Sequence, residues 1–136
     1  MFNRILRFNL TDQTTQKGKI PDAVLRDFIG GKGVGLWLLT QEDTSHDPFD
    51  PGNPLIFVTG PLTGSLIQTS GRSALVTRSP LTNTFLDSHA GGHFGPALRR
   101  TGNDYLLIKG ASETPVYLHV TPNGAEFKPA EEKKKK

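Results

Sequence analysis

Residues 4–10 (RILRFNL) alternate apolar and polar positions closely enough for a first strand. Pro21 then stands where helices begin, and DAVLRDFI behind it carries Val24, Leu25, Phe28 and Ile29 at helical spacing. Gly30-Gly31 interrupts that run. VGLWLLTQED follows as a second helical stretch, apolar at Leu36, Trp37, Leu38 and Leu39. Residues 44–54 (TSHDPFDPGNP) are too rich in proline and aspartate for anything but a loop.

Beyond that loop the rhythm shortens. LIFVTG, residues 55–60, is a continuous apolar run ending in Gly-Pro, the pattern of a strand buried on both faces. GRSALVTR and TNTFLDS are strand candidates either side of a Ser-Pro turn. YLLIKG, PVYLHV and, after a Pro-Asn-Gly turn, AEFK follow. HFGPALRR is the remaining helix candidate. Many short strands with two or three helices predict an α+β domain whose strands pair mostly antiparallel, in a sheet sandwich.

The chain has 136 residues, enough for one core, and the expected division is a single domain over 1–130 with a disordered basic tail over 131–136. The formal net charge of +3 rests mainly on that tail, EEKKKK. With one Trp and two Tyr as stacking platforms, the charge makes no case for a nucleic-acid groove. Cysteine is absent, so this chain alone holds neither a disulfide framework, nor a cysteine-ligated zinc, nor an iron–sulfur cluster. MFNRILRFNL is too short and too interrupted for a signal peptide, and no apolar run is long enough for a membrane span; a cytoplasmic location is the expectation.

Glycine clusters carry the candidate chemistry. GGKGVG at 30–35 follows a helix, not a strand, which is the wrong context for a dinucleotide fingerprint; Lys32 is followed by Gly33, which excludes a nucleotide-hydrolase phosphate loop. A helix stop and fresh start explains it, with an anion nest countered by Lys32 as the sharper alternative. GPLTG at 60–64 reads as a strand-end turn or as a ligand rim offering Thr63. Arg72, directly after Gly71, can fork onto a phosphate or a planar heterocycle.

DSHAGGHFGPALRR, residues 87–100, is the most pointed stretch. His89 and His93 have the spacing of two metal ligands on a helix, but Gly91-Gly92 between them is a poor helix interior and no third ligand is near in sequence. The small residues Ser88, Ala90, Gly91 and Gly92 instead expose main-chain amides just ahead of a helix, which suits an anion or an electron-rich ring edge. Glycines needed only for helix–sheet packing are the competing explanation.

Taken together, FIGGKGVGLWLL, NPLIFVTGPLTG, GRSALVTRSPLT, DSHAGGHFGPALRRTGNDYLLIKG and PVYLHV, in that order, closely resemble the amino-terminal domain of the tungsten-dependent aldehyde ferredoxin oxidoreductases. The resemblance implies an α+β base beneath a bis-pterin cofactor, two pterins holding tungsten or molybdenum, with magnesium bridging their phosphates. Position by position it implies cofactor contacts at Arg72, His89, Ala90, Gly91 and Gly92, with His89 standing where many members have asparagine. It implies no catalytic residue and no protein metal ligand in this chain, because cysteines and acid–base groups belong to later domains. It also implies half of a duplicated domain, and hence part of a cofactor site. The expected function is a pterin-binding module of an oxidoreductase converting aldehydes to carboxylic acids, as a split subunit or a truncated piece. Ferredoxin would engage only the full assembly with a cysteine-bearing partner, and isolated catalysis is not expected. The alternatives are a stand-alone, non-catalytic homodimer that carries a pterin or similar anion, and a structural fragment with no ligand.

Overall fold

The computed structural model describes residues 2–130; the tail expected at 131–136 lies outside them. Eight strands and three helices follow one another as β1 (Arg4–Asn9), β2 (Thr14–Lys19), α1 (Asp22–Phe28), α2 (Gly31–Thr40), β3 (Leu55–Thr59), β4 (Ser73–Arg78), β5 (Phe85–Ala90), α3 (Phe94–Arg100), β6 (Tyr105–Lys109), β7 (Val116–Thr121) and β8 (Gly124–Pro129). Six strands form one mixed sheet in the order β2-β1-β6-β3-β4-β5, and β7-β8 is a separate hairpin. Only the β1–β6 pair is parallel; the rest of the sheet is antiparallel. The α+β expectation holds.

Strand alternation sorts the core into two layers. Ile5, Ile56, Val58, Ala74, Val76, Tyr105 and Leu107 point to one face, where Val34, Leu38 and Leu39 of α2 and Val24 of α1 complete the cluster. Leu6, Phe8 and Leu106 point to the other face, where Leu98 of α3 and the hairpin residues Leu118, Val120 and Phe127 pack. β1, β3 and β6 are therefore covered from both sides, as the unbroken apolar run of β3 requires. Tyr105 is fully buried against the Phe2 ring, its hydroxyl without a partner. Burial first, then the neighbouring Asp104, pushes its phenol well above the ordinary range, with Arg99 pulling the other way.

Three differences from the sequence expectations matter for the site. β2 (TTQKGK) is an added strand: it is a polar edge strand, and a strand with no apolar face has no alternation to detect. α2 begins at Gly31, three residues before the expected run from Val34, so the GGKG segment is the helix stop and fresh start expected of it and supplies the first turn of α2. β5 runs on through His89 to Ala90, which puts His89 on a strand and His93 at the cap of α3. The helical geometry that would aim both rings at one metal is not formed.

Candidate functional site

The site gathers at the β4–β5 end of the sheet. Ala74 lies opposite His89 and Val76 opposite Asp87, so both polar side chains share the face that packs on α2. Arg72 sits just before β4, two residues from Ala74 and on the same alternation. A hollow of about 350 Å³ opens there, with Val58 and Ala74 as its floor and Gly31, Pro61, Arg72 and His89 among its walls. A second hollow of about 560 Å³ lies across Arg72, bordered by Gly91, Gly92, His93 and Arg100. Arg72 and Ser70 belong to both. The five residues expected from the sequence thus come together: Arg72 and His89 in the first hollow, Gly91 and Gly92 in the second, and Ala90 joining them at the end of β5.

Arg72 is exposed and its guanidinium makes no ion pair among the described residues. His89 is held differently. Its Nε2 lies 2.8 Å from Asp87 Oδ2, and Lys32 Nζ approaches the same carboxylate oxygen at 3.7 Å. A neutral imidazole donating from Nε2 presents Nδ1 as an acceptor, and donates from Nδ1 only when protonated. An asparagine would carry donor and acceptor at once, so His89 offers a narrower set of bonds. The anion-nest alternative for Lys32 loses weight, because its ammonium already answers Asp87.

The glycines divide by what surrounds them. A methyl group built on Gly91 or Gly92 meets nothing within 4 Å, nor does one on Gly31. Gly92 (φ +90°) and Gly31 (φ +57°) need their backbone freedom, but Gly91 has an ordinary φ and open space beside it. The bonds that close the turns and caps of the described residues include none donated by the amides of Gly91 or Gly92. Those amides are not spent on the protein's own carbonyls. Packing accounts for other members of the cluster: on Gly95 a methyl would stand 2.8 Å from Thr63 Cγ2, and on Gly64 3.1 Å from Pro96 Cα.

The sequence reading missed the machinery that holds the rims in place. Arg99, in the last turn of α3, donates to the carbonyls of Pro61 (2.6 Å), Thr63 (3.0 Å) and Gly60 (3.4 Å). The same guanidinium pairs with buried Asp104 at 3.3 Å and lies 4.8 Å over the Phe2 ring. Thr63, which looked free to offer a hydroxyl, is buried: its Oγ1 donates to the Arg72 carbonyl and accepts from the Gly60 amide, both at 2.9 Å. A basic residue at a helix C-terminus looks like a dipole partner, so nothing in the pattern singled out Arg99. Asp87 had a usable signal, since on a strand it must share a face with His89.

Comparison with known proteins gives this geometry its context. Residues 5–136 match the family model of the aldehyde ferredoxin oxidoreductase N-terminal domain. The chain belongs to that family. A tungsten-containing aldehyde ferredoxin oxidoreductase of Pyrococcus abyssi is 39% identical over 130 residues, covering 95% of this chain and 21% of that protein. The aldehyde ferredoxin oxidoreductase resemblance extends to a WOR-like subunit of an aliphatic sulfonate oxidoreductase from Pyrococcus furiosus, 30% identical over 131 residues, covering 93% of this chain and 21% of that protein. The solved active-site complex BamBC of benzoyl coenzyme A reductase, with 1,5-dienoyl-CoA, superposes with a TM-score of 0.92 at 27% identity, covering 96% of this chain and 20% of that one. The chain spans about a fifth of the length of the curated relatives it matches. Among the described residues no helix is long and apolar enough to cross a membrane.

Proposed function

We propose that this chain is a pterin-cofactor-binding module of an oxidoreductase, forming one side of the cradle for a tungsten or molybdenum bis-pterin. One observation carries the reading: an uncommitted guanidinium, the His89 ring and two unspent glycine amides border adjoining hollows at one end of the sheet. An anionic, planar, phosphate-bearing group fits that set, because its phosphate accepts from amides and guanidinium while its ring system needs close backbone approach. The group would supply the redox chemistry when bound; the protein's share is placement and electrostatics. Arg72 would neutralise and fork onto it, Gly91 and Gly92 would donate main-chain N–H groups, Ala90 would let the backbone approach, and His89, fixed by Asp87, would meet it with Nδ1. A magnesium ion accompanying the cofactor's phosphates would belong to the same proposal. The matching relatives are named for tungsten and for oxidation of aldehydes with ferredoxin, so aldehyde oxidation with ferredoxin as acceptor is the activity proposed for the assembly in which this module works.

The test is cofactor content. With protein purified anaerobically from its native host, Arg72→Ala should lower bound metal and pterin fluorescence by about half or more. Its melting temperature should stay within about 2 °C of the parent, since an exposed, unpaired guanidinium carries little structural weight. Undiminished cofactor content in the variant would remove Arg72 from the site.

A further inference from the structure

The opposite end of the sheet holds a different concavity, of about 260 Å³, walled by Arg4, Lys17 and Lys19 with main-chain segments at Gly102, Asn103 and Gly124. Strand register explains why the three share one wall. In the β1–β2 ladder Arg4 lies directly opposite Lys19, and Leu6 opposite Lys17, so all three cations stand on the face that Leu6 turns toward α3 and the hairpin.

No aspartate or glutamate lines the cavity. Neither lysine makes an ion pair among the described residues, and the Arg4 guanidinium reaches only the Gly102 carbonyl, at 3.4 Å. Asp104 is near in the fold, but its carboxylate accepts from the Arg4 amide and pairs with Arg99.

Like charges directly across a ladder destabilise it. Lysines do blunt edge strands, and β2 is an edge. Blunting, however, needs neither a shared face nor a third cation from the neighbouring strand. We infer that this cavity is an anion site for a phosphate group, free or carried as a small monoester. Three cations lining one cavity from one face match a dianion with three acceptor oxygens, whereas a carboxylate would leave two of them uncompensated. Arg4 can fork onto two oxygens while each lysine meets one as a point charge. The inference does not rest on the cofactor reading, since Arg72 and His89 lie at the other end of the sheet and on its other face.

Inorganic phosphate and glycerol 3-phosphate, each titrated into the protein by calorimetry in dilute chloride buffer, test it. Saturable one-site binding is expected, weakening as ionic strength passes about 0.1 M. The double variant Lys17→Ala/Lys19→Ala should bind about tenfold more weakly or worse, at a melting temperature no lower than the parent's, because both side chains are exposed and a like-charge pair across the ladder is relieved. Arg72→Ala should bind as the parent does. Tighter binding of the monoester would identify a small-molecule ligand, and equal binding free phosphate; either supports the site. Absence of saturable binding by both probes, or full binding by the double variant, would overturn it. Binding lost in Arg72→Ala but kept in the lysine variant would also overturn it, and would place the phosphate in the cofactor hollow instead.

Discussion

Gly91 and Gly95 are four residues apart in one motif, yet the fold uses them for opposite purposes. Gly95 is buried where α3 presses on the loop before β4, and a methyl group there would meet Thr63 and Ser73. Gly71 is similar: a methyl would run into the Gly92 carbonyl oxygen. Gly91 borders a hollow, has an ordinary φ, and faces empty space. Gly71 and Gly95 bring two backbones together; Gly91 leaves one exposed. A glycine-rich motif is thus two signals laid over each other, and the packing set holds the open set in position.

The largest effect should come from the packing side. Gly71→Ala forces a Cβ against main chain, which cannot yield as a side-chain tip can, so the β4 entry and the Gly92 turn must move apart. A loss of about 3 kcal/mol is expected, seen as a drop of roughly 10 °C in melting temperature. Cofactor content should fall with it. A variant that melts with the parent would show that the two glycine classes are not distinct.

Arg99→Met comes next. It keeps an apolar stem of similar length but removes the guanidinium that lies over Phe2, whose Nη1 donates to three loop carbonyls and whose Nε partners buried Asp104. Asp104 retains the Arg4 amide, at 3.0 Å, and Arg99 is partly exposed, so about 2 kcal/mol is expected rather than the full penalty of an orphaned buried charge. A double-mutant cycle with Asp104→Asn separates the ion pair from the loop clamp. If the whole loss disappears in the Asp104→Asn background, the loop carbonyls contribute nothing and Arg99 only serves Asp104.

What could be read from the sequence follows the same division. β3, β6 and β7 were legible because apolar runs bounded by turns are a local signal. β2 was hidden, since a polar edge strand earns its place through the β1 ladder alone. Arg72, His89, Ala90, Gly91 and Gly92, the proposed contacts, could be nominated because motif and order carry them. Arg99 and Asp104 were not: each acts across 36 to 100 residues of chain, on backbone atoms whose neighbourhood no pattern reveals. The supports of a site are harder to see than its surface, because they are defined by pairings rather than by residue types.

Gly91→Ala is the smallest change and the sharpest test. Nothing stands within 4 Å of the added methyl, and φ at this position is one that alanine adopts. Loss of unfolded-state freedom should offset any strain, leaving stability within about 0.5 kcal/mol of the parent or slightly above it. If the amides of this turn grip a ligand at close range, the same methyl intrudes between them and it, and bound metal and pterin should fall although the fold is untouched. The two readouts must part company for the comparison to stand. Stability reduced by more than about 1 kcal/mol would return Gly91 to the packing class. Full cofactor content at full stability would mean that the open space beside Gly91 receives no ligand, and Arg72 and His89 would have to hold it without the turn.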